Sequence, residues 1–235
     1  MNQKAARFSE RYSGTGDRVC AAVALLLTVC ASQSGTFSFS NTDPIVINDI
    51  GNPPTPASPY ASAIEVTGLE GQVITHVSVT LNGFSHTFPS DVNILLVGPS
   101  GQMSTLMSEV GGNTRLPVSD LTLTLDSSAA SWLPIDSELF SGVFKPTRQF
   151  PSLPFEFPAP APAGSSSALA DLSVFEGTAP DGAWRLFVLD ESTPDSGFIS
   201  SGWTLNLATP VPEPSTAALL MCAIGTLAFF RSKPN

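Results

Sequence analysis

DGAWRLFVLD at 181–190, the turn ESTPDSG at 191–197 and FISSGWTLNL at 198–207 decide the fold class. Trp184, Leu186 and Val188 alternate with Arg185, Phe187 and Leu189, and Trp203, Leu205 and Leu207 share one side of the second run. Period-two alternation of β-branched and aromatic residues is a strand signature, and the acidic, Gly-containing turn between the runs predicts a β-hairpin.

The rest of the central region carries the same signal. Thr36 to Ser40 alternates and is expected as an edge strand. In QVITHVSVTLNGF at 72–84, Val73, Thr75, Val77, Val79 and Leu81 are expected on one face, with Ile74, His76, Ser78 and Thr80 on the other. Further strands are expected over 91–97, 103–107 and 121–125, with turns at 98–101 and 111–113. Trp132 is expected as a core or inter-strand aromatic. Asn52 to Pro59 is a Pro-rich connection. Residues 141–168 form a longer Pro-rich excursion, extended rather than helical. It is open to two readings: a recognition loop, or a packed surface loop held by Phe150, Phe155 and Phe157. No window shows a helical stripe. The expected fold is an all-β, jelly-roll-like antiparallel β-sandwich, flanked by an N-terminal signal peptide and a single C-terminal hydrophobic helix.

The ends differ from the body. Lys4, Arg7, Arg11 and Arg18 precede an apolar run from Val19 to Cys30, so residues 1–34 read as a secretory signal. Leu27 to Cys30 faintly suggests a lipoprotein box, although Val29 is larger than the small residue expected before the cysteine. At the other end, Pro212-Glu213-Pro214 stays extended because proline fixes φ and removes N–H donors. The uncharged run 215–230 follows, and then Arg231 and Lys233. A helix of about 16 residues spans roughly 24 Å, short for a hydrocarbon core of about 30 Å. Arg231 and Lys233 favour a cytoplasmic C-terminus. The segments expected are therefore a signal over 1–34, N-terminal strands and a Pro-rich connection over 35–69, a β-sandwich over 70–207, and a tail over 208–235 with its transmembrane helix at 215–230.

Charge and cysteine follow this division. The chain has 235 residues and net charge −10. Of its ten Lys and Arg, only Arg115, Lys145, Arg148 and Arg185 lie in the body, against 17 of the 20 acids, a net of −13. Such a surface repels phosphate backbones and excludes nucleic acid as a partner. Cys20 and Cys30 lie in the signal and Cys222 in the tail, so a body freed of both ends has no disulfide, thiolate metal site or cysteine nucleophile.

Two resemblances extend these readings. Val211, Pro212, Glu213, Pro214 and Ser215, the apolar run and Arg231 together resemble the PEP-CTERM sorting signal of Gram-negative bacteria. The resemblance implies processing by an exosortase near the triplet, in strains that make exopolysaccharide, and release to the cell surface or the extracellular matrix. A plain C-terminal anchor or a buried core helix is the alternative. The body resembles the P domain (P/Homo B) that follows the catalytic domain of subtilisin-like proprotein convertases. The matches are DVNILLVGPSG at 91–101, FSGVFKPT at 140–147, Phe175-x-Gly177, GAWRLFVLD at 182–190 and DSGFISSGWTL at 195–205. That family's jelly-roll-like sandwich supports a catalytic domain and does no chemistry itself.

The sequence also speaks against hydrolysis. It has no Asp-Thr-Gly, His-Gly-Thr or Gly-Thr-Ser-x-Ala segment, and His76 and His86 sit in no context suited to a Ser-His-Asp constellation. His76 is expected on the surface and His86 in a turn. No catalytic residue and no required cofactor are expected. Asp190, Glu191 and Asp195 crowd one turn, and Asp91 opens a strand. Some bacterial P domains bind Ca2+ in comparable loops, which makes Asp91, Asp190 and Asp195 candidate Ca2+ ligands; the alternative is a solvated acidic turn. The function expected is a non-catalytic exported protein, structural or adhesive among surface proteins or exopolysaccharide, anchored in the membrane only before processing. The alternative is an accessory module for a separate subtilisin-like serine protease.

Overall fold

Residues 34–48, 54–150 and 156–210 are described by the computed structural model, so the expected signal segment up to residue 33 and most of the sorting tail, with its expected membrane helix, lie outside the described residues. The described residues fold into strands β1 (Ser34–Asn41), β2 (Ile45–Asn48), β3 (Thr55–Pro56), β4 (Ser62–Val66), β5 (His76–His86), β6 (Val92–Val97), β7 (Met103–Ser108), β8 (Val118–Asp126), β9 (Gly142–Phe144), β10 (Thr147–Arg148), β11 (Gly182–Asp190), β12 (Ser196–Ile199) and β13 (Trp203–Pro210). Three short 3-10 turns join them, at Pro89–Asp91, Ser165–Ser167 and Leu172–Phe175. Among the described residues no helix is long and apolar enough to cross a membrane.

The strands form two sheets. The first runs β1–β13–β5–β12–β2, with β8 on the other edge of β5 and β9 beyond it. The second runs β10–β7–β6–β11, and β4 and β3 share the outer edge of β11. Pairings are antiparallel except for the short parallel contacts β8–β9 and β7–β10. The chain crosses between the sheets after β2, β4, β5, β7, β9 and β11, which is the jelly-roll-like path of an all-β sandwich.

The expected hairpin is not formed. β11 belongs to one sheet and β12–β13 to the other: Trp184 is opposite Ile64, whereas Trp203 is opposite Leu81 and Asn41. The two tryptophan stripes bury more apolar surface by facing each other across the core than by lying side by side, and both rings are fully buried. Trp203 donates from Nε1 to Ser62 Oγ, 3.0 Å away on β4, and so spans the sandwich; Trp184 donates to the Pro180 carbonyl at 2.9 Å.

Alternation places the core. Val77, Val79 and Leu81 of β5 point inward as their spacing requires. Gly83, at φ 77°, interrupts the register with β8, and the phase change puts Phe84 inside. The expected face does not extend upstream. Residues before His76 leave the strand: Ile74 is bonded through its backbone to Gly177 and Thr178 and is buried, while Val73 is 46% exposed.

The second sheet is covered on both sides, which is why all six residues of β6 are buried. Its outward side chains Leu95, Val97, Phe187 and Leu189 form a second apolar cluster with Phe157 and Ala168. The Pro-rich excursion is thus a packed third layer, after two short strands, β9 and β10, at its start. Tyr60 Oη donates to the Pro158 carbonyl, Thr105 Oγ1 to that of Ala168, and the Glu156 carboxylate accepts from the amides of Gly164 and Ser166. Of its three expected anchors, Phe157 is buried, Phe150 is exposed and Phe155 lies outside the described residues. Trp132 also departs from expectation. It is 58% exposed, because its backbone bridges Lys145 at the surface.

Candidate functional site

One end of the sandwich gathers several charged residues. β5 ends at His86 and β11 at Asp190, so the two reach each other across the core. Asp91 closes the 3-10 turn before β6, and the Glu191 amide donates to its carbonyl. Asp195 lies just before β12. The three candidate metal ligands, Asp91, Asp190 and Asp195, therefore lie at the same end of the sandwich, where the charges of Asp190 and Asp195 act on Asp91. The two aspartates that flank the turn are not solvated, each being 1% exposed, whereas Thr193 and Pro194 at its tip are exposed.

Buried carboxylates need compensation. His86 is opposite Asp190, with Nε2 3.2 Å from Oδ2, and the Ser192 amide donates to Asp190 Oδ1. Arg115 donates to Asp195 Oδ1 at 2.8 Å, and Thr87 Oγ1 adds a bond to the same oxygen. Asp91 Oδ2 and Asp195 Oδ2 are buried without any hydrogen-bond partner. Burial, then the charges of Asp190 and Asp195, push the Asp91 carboxyl up to about 6, against the opposing pull of His86 and Arg115. Burial and the neighbouring Glu109 push Glu191 up to about 7, although Asn93 donates to it.

The donor chemistry suits a hard cation such as Ca2+, and the unpartnered oxygens say which residues could hold one. Asp91 and Asp195 each have a free oxygen. Each oxygen of Asp190 already accepts one bond, Oδ2 from His86 and Oδ1 from Ser192, and each keeps a second lone pair. Among the described residues no three His, Cys, Asp or Glu side chains converge as a preformed metal cage.

His86 was expected in a turn, yet it ends β5 and is buried. Its Nδ1 accepts from the Phe88 amide, so in the neutral ring Nε2 carries the proton and donates to Asp190. Neither nitrogen is left as a base. His76 is partly exposed and pairs through Nε2 with Asp126 at 3.1 Å. Among the described hydrogen bonds no serine or threonine hydroxyl reaches either imidazole. Sequence reasoning missed His86 and Arg115 as the partners of Asp190 and Asp195; no local pattern marks them, since both act on residues about 80 to 100 positions away. A shallow apolar groove of about 570 Å3, lined by Pro44, Val46, His86, Val118, Phe198 and Ser200, opens beside the cluster. Gly197 makes room there, because a Cβ would stand 2.5 Å from His86 Cδ2. The sorting residues Val211, Pro212, Glu213, Pro214 and Arg231 lie outside the described residues.

No protein-family model matches the chain. No curated protein matches it significantly. Among solved structures, a serine protease of Aeromonas sobria is similar over 80% of this chain and 29% of its own, at 13% identity and a TM-score of 0.38. The same protease in complex with its chaperone ORF2 is similar over 83% of this chain and 30% of its own, at 13% identity and a TM-score of 0.39.

Proposed function

We propose that this chain is a non-catalytic, exported β-sandwich module, P-domain-like in kind, sorted by its tail to the cell surface or matrix, where its work is structural or adhesive. The observation that carries the non-catalytic half is the engagement of both His86 nitrogens, which leaves the one buried histidine without a lone pair for general-base work. Export and sorting are supported by the basic-apolar leader and by Val211, Pro212, Glu213, Pro214 and Arg231, with an exosortase as the processing partner.

Intact-mass analysis of the surface or secreted protein, in strains with and without the exosortase, tests the sorting. The expected mature chain ends near Pro212 to Pro214 in the first strain and retains 215–235 in the second. Retention in both reduces the tail to an ordinary anchor. A fluorogenic peptide library tests the chemistry. No cleavage is expected, and cleavage lost on replacing His76 and His86 would overturn the reading. Co-purification with a subtilisin-like protease would select the accessory-module alternative.

A further inference from the structure

Trp132 is the most exposed of the chain's three tryptophans, and its surroundings are built rather than accidental. The backbone that carries it is held at two points: Trp132 bridges Lys145, whose amide donates to the Ser131 carbonyl at 2.7 Å, and the Leu133 amide donates to Thr147 Oγ1 at 3.0 Å. The ring therefore stands on a fixed platform, not on a free loop. It lines a cleft of about 260 Å3 with Ser127, Lys145, Pro146, Ala170 and Asp171. That is below the ~300–1,000 Å3 typical of sites that swallow a whole small ligand, so it suits a segment of a longer chain crossing the surface.

The rim offers both kinds of hydrogen-bonding group. The Lys145 ammonium lies 5.1 Å over the indole ring and pairs with no carboxylate among the described contacts. Asp171 is fixed by the Ser173 amide and by the hydroxyls of Ser127 and Ser173, and these bonds, led by that from Ser173, hold its carboxyl below the usual range. An ionised acceptor thus stands near a flat apolar ring, and a cationic donor lies over one face of it.

We infer that this cleft binds a neutral pyranose chain, with one sugar ring stacked by its C–H face on Trp132 and its hydroxyls shared between Lys145 and Asp171. A pyranose has the matching chemistry, an apolar ring face edged by hydroxyls that both donate and accept. A polyanionic saccharide is disfavoured by the net −13 of the body. A protein partner would ask for a wider apolar surround than one indole among polar groups. The inference rests on the reading of the chain as an adhesive surface module, and names what it adheres to.

Trp184 and Trp203 are fully buried, so a surface ligand perturbs the fluorescence of Trp132 alone. The full chain in a sugar-free detergent is titrated with neutral hexasaccharides of glucose, mannose, galactose and xylose, and with oligogalacturonate. The expected result is a saturable change in emission with at least one neutral sugar. Trp132→Ala abolishes it without lowering Tm, Trp132→Phe retains it with affinity about tenfold weaker, and Lys145→Ala or Asp171→Ala weakens it while the Trp132 signal remains. No response to any neutral sugar overturns the inference, as does tighter binding of oligogalacturonate, or undiminished binding by Trp132→Ala in a pull-down on the insoluble polysaccharide of the best hexasaccharide. Loss of sugar binding in a protein still found at the cell surface removes this site and leaves the surface-module reading intact. Sugar binding by a protein that stays inside the cell does the reverse.

Discussion

Asp91 has an ordinary sequence context and an unusual position. Its carboxyl feels the charges of Asp190 and Asp195 and has one oxygen unpartnered, and its folded-state pKa is raised from 3.8 to about 6; that of Glu191 is raised from 4.5 to about 7. Both values rise on folding, so between about pH 4 and 7 the native state holds more protons than the unfolded one. Stability therefore falls as pH rises through that window and is greatest, for these two groups, below it. Asp91→Asn is expected to raise Tm near neutral pH and to change it little near pH 4, as thermal melts at the two values would show. Little change at both would mean that the carboxylate is neutralised near neutral pH by something other than protons. Ca2+ is the candidate: it should raise Tm near neutral pH through Asp91 and Asp195, and the rise should vanish in Asp91→Asn. Equal melting with Ca2+ and with chelator assigns neutralisation to protons alone. His86→Ala leaves Asp190 buried without its partner and should cost about 3 kcal/mol or more by chemical denaturation.

Among the elements, β12 and β13 act as one strand broken at 200–202. Together they follow one edge of β5, and β2 and β1 follow their other edge in the same way. Gly202 permits the break. Its φ is 63°, and a Cβ would lie 1.9 Å from the Asn41 carbonyl oxygen. Gly202→Ala is expected to lose about 2–4 kcal/mol from strain and overlap together, measured by urea unfolding. A loss below about 0.5 kcal/mol, the scale of a neutral surface change, would show that the break does not depend on this conformation. The Pro-rich layer makes a different prediction. Phe157 is its buried anchor over Leu95, Val97, Phe187 and Leu189. Phe157→Ala should release the cover before the sandwich opens, so amide exchange should quicken in 156–168 while β5 and β13 remain protected. Uniform quickening would instead make the layer part of the cooperative core.

For the whole molecule, stability rests on two sheets meeting through Trp184 and Trp203. Trp184 touches Phe175 at a ring separation of 4.9 Å, and its indole N–H satisfies the Pro180 carbonyl. Trp184→Ala removes the largest kind of core side chain and should cost about 3–5 kcal/mol in equilibrium unfolding. Far-UV circular dichroism of the protein freed of its two ends should show β-structure with little helix; a strong helical signal would contradict the fold.

The sequence by itself determined the class of the fold, because period-two alternation is a local property of each strand. β6, β7, β8, β11 and β13 stand close to where their patterns put them, and the inward sets Val77–Val79–Leu81 and Trp184–Leu186–Val188 are those that alternation names. It also brought forward Asp190 and Asp195 as acids crowded on one turn and Asp91 at the start of a strand, since these placements are visible in the chain itself; their candidacy as Ca2+ ligands came from the family resemblance. Partner choice was left to the tertiary structure. Alternation says that Trp184 and Trp203 each bury a face, but not whether the faces lie side by side or opposite, and the packing of one core against two sheets chose the second. The same holds for His86, whose burial follows from the phase change at Gly83 and from a carboxylate 104 residues away. It holds for Trp132 as well, which is apolar enough for a core but is carried to the surface by its backbone bridge to Lys145. Local periodicity fixes which way a side chain points; only the meeting of distant segments fixes what it points at.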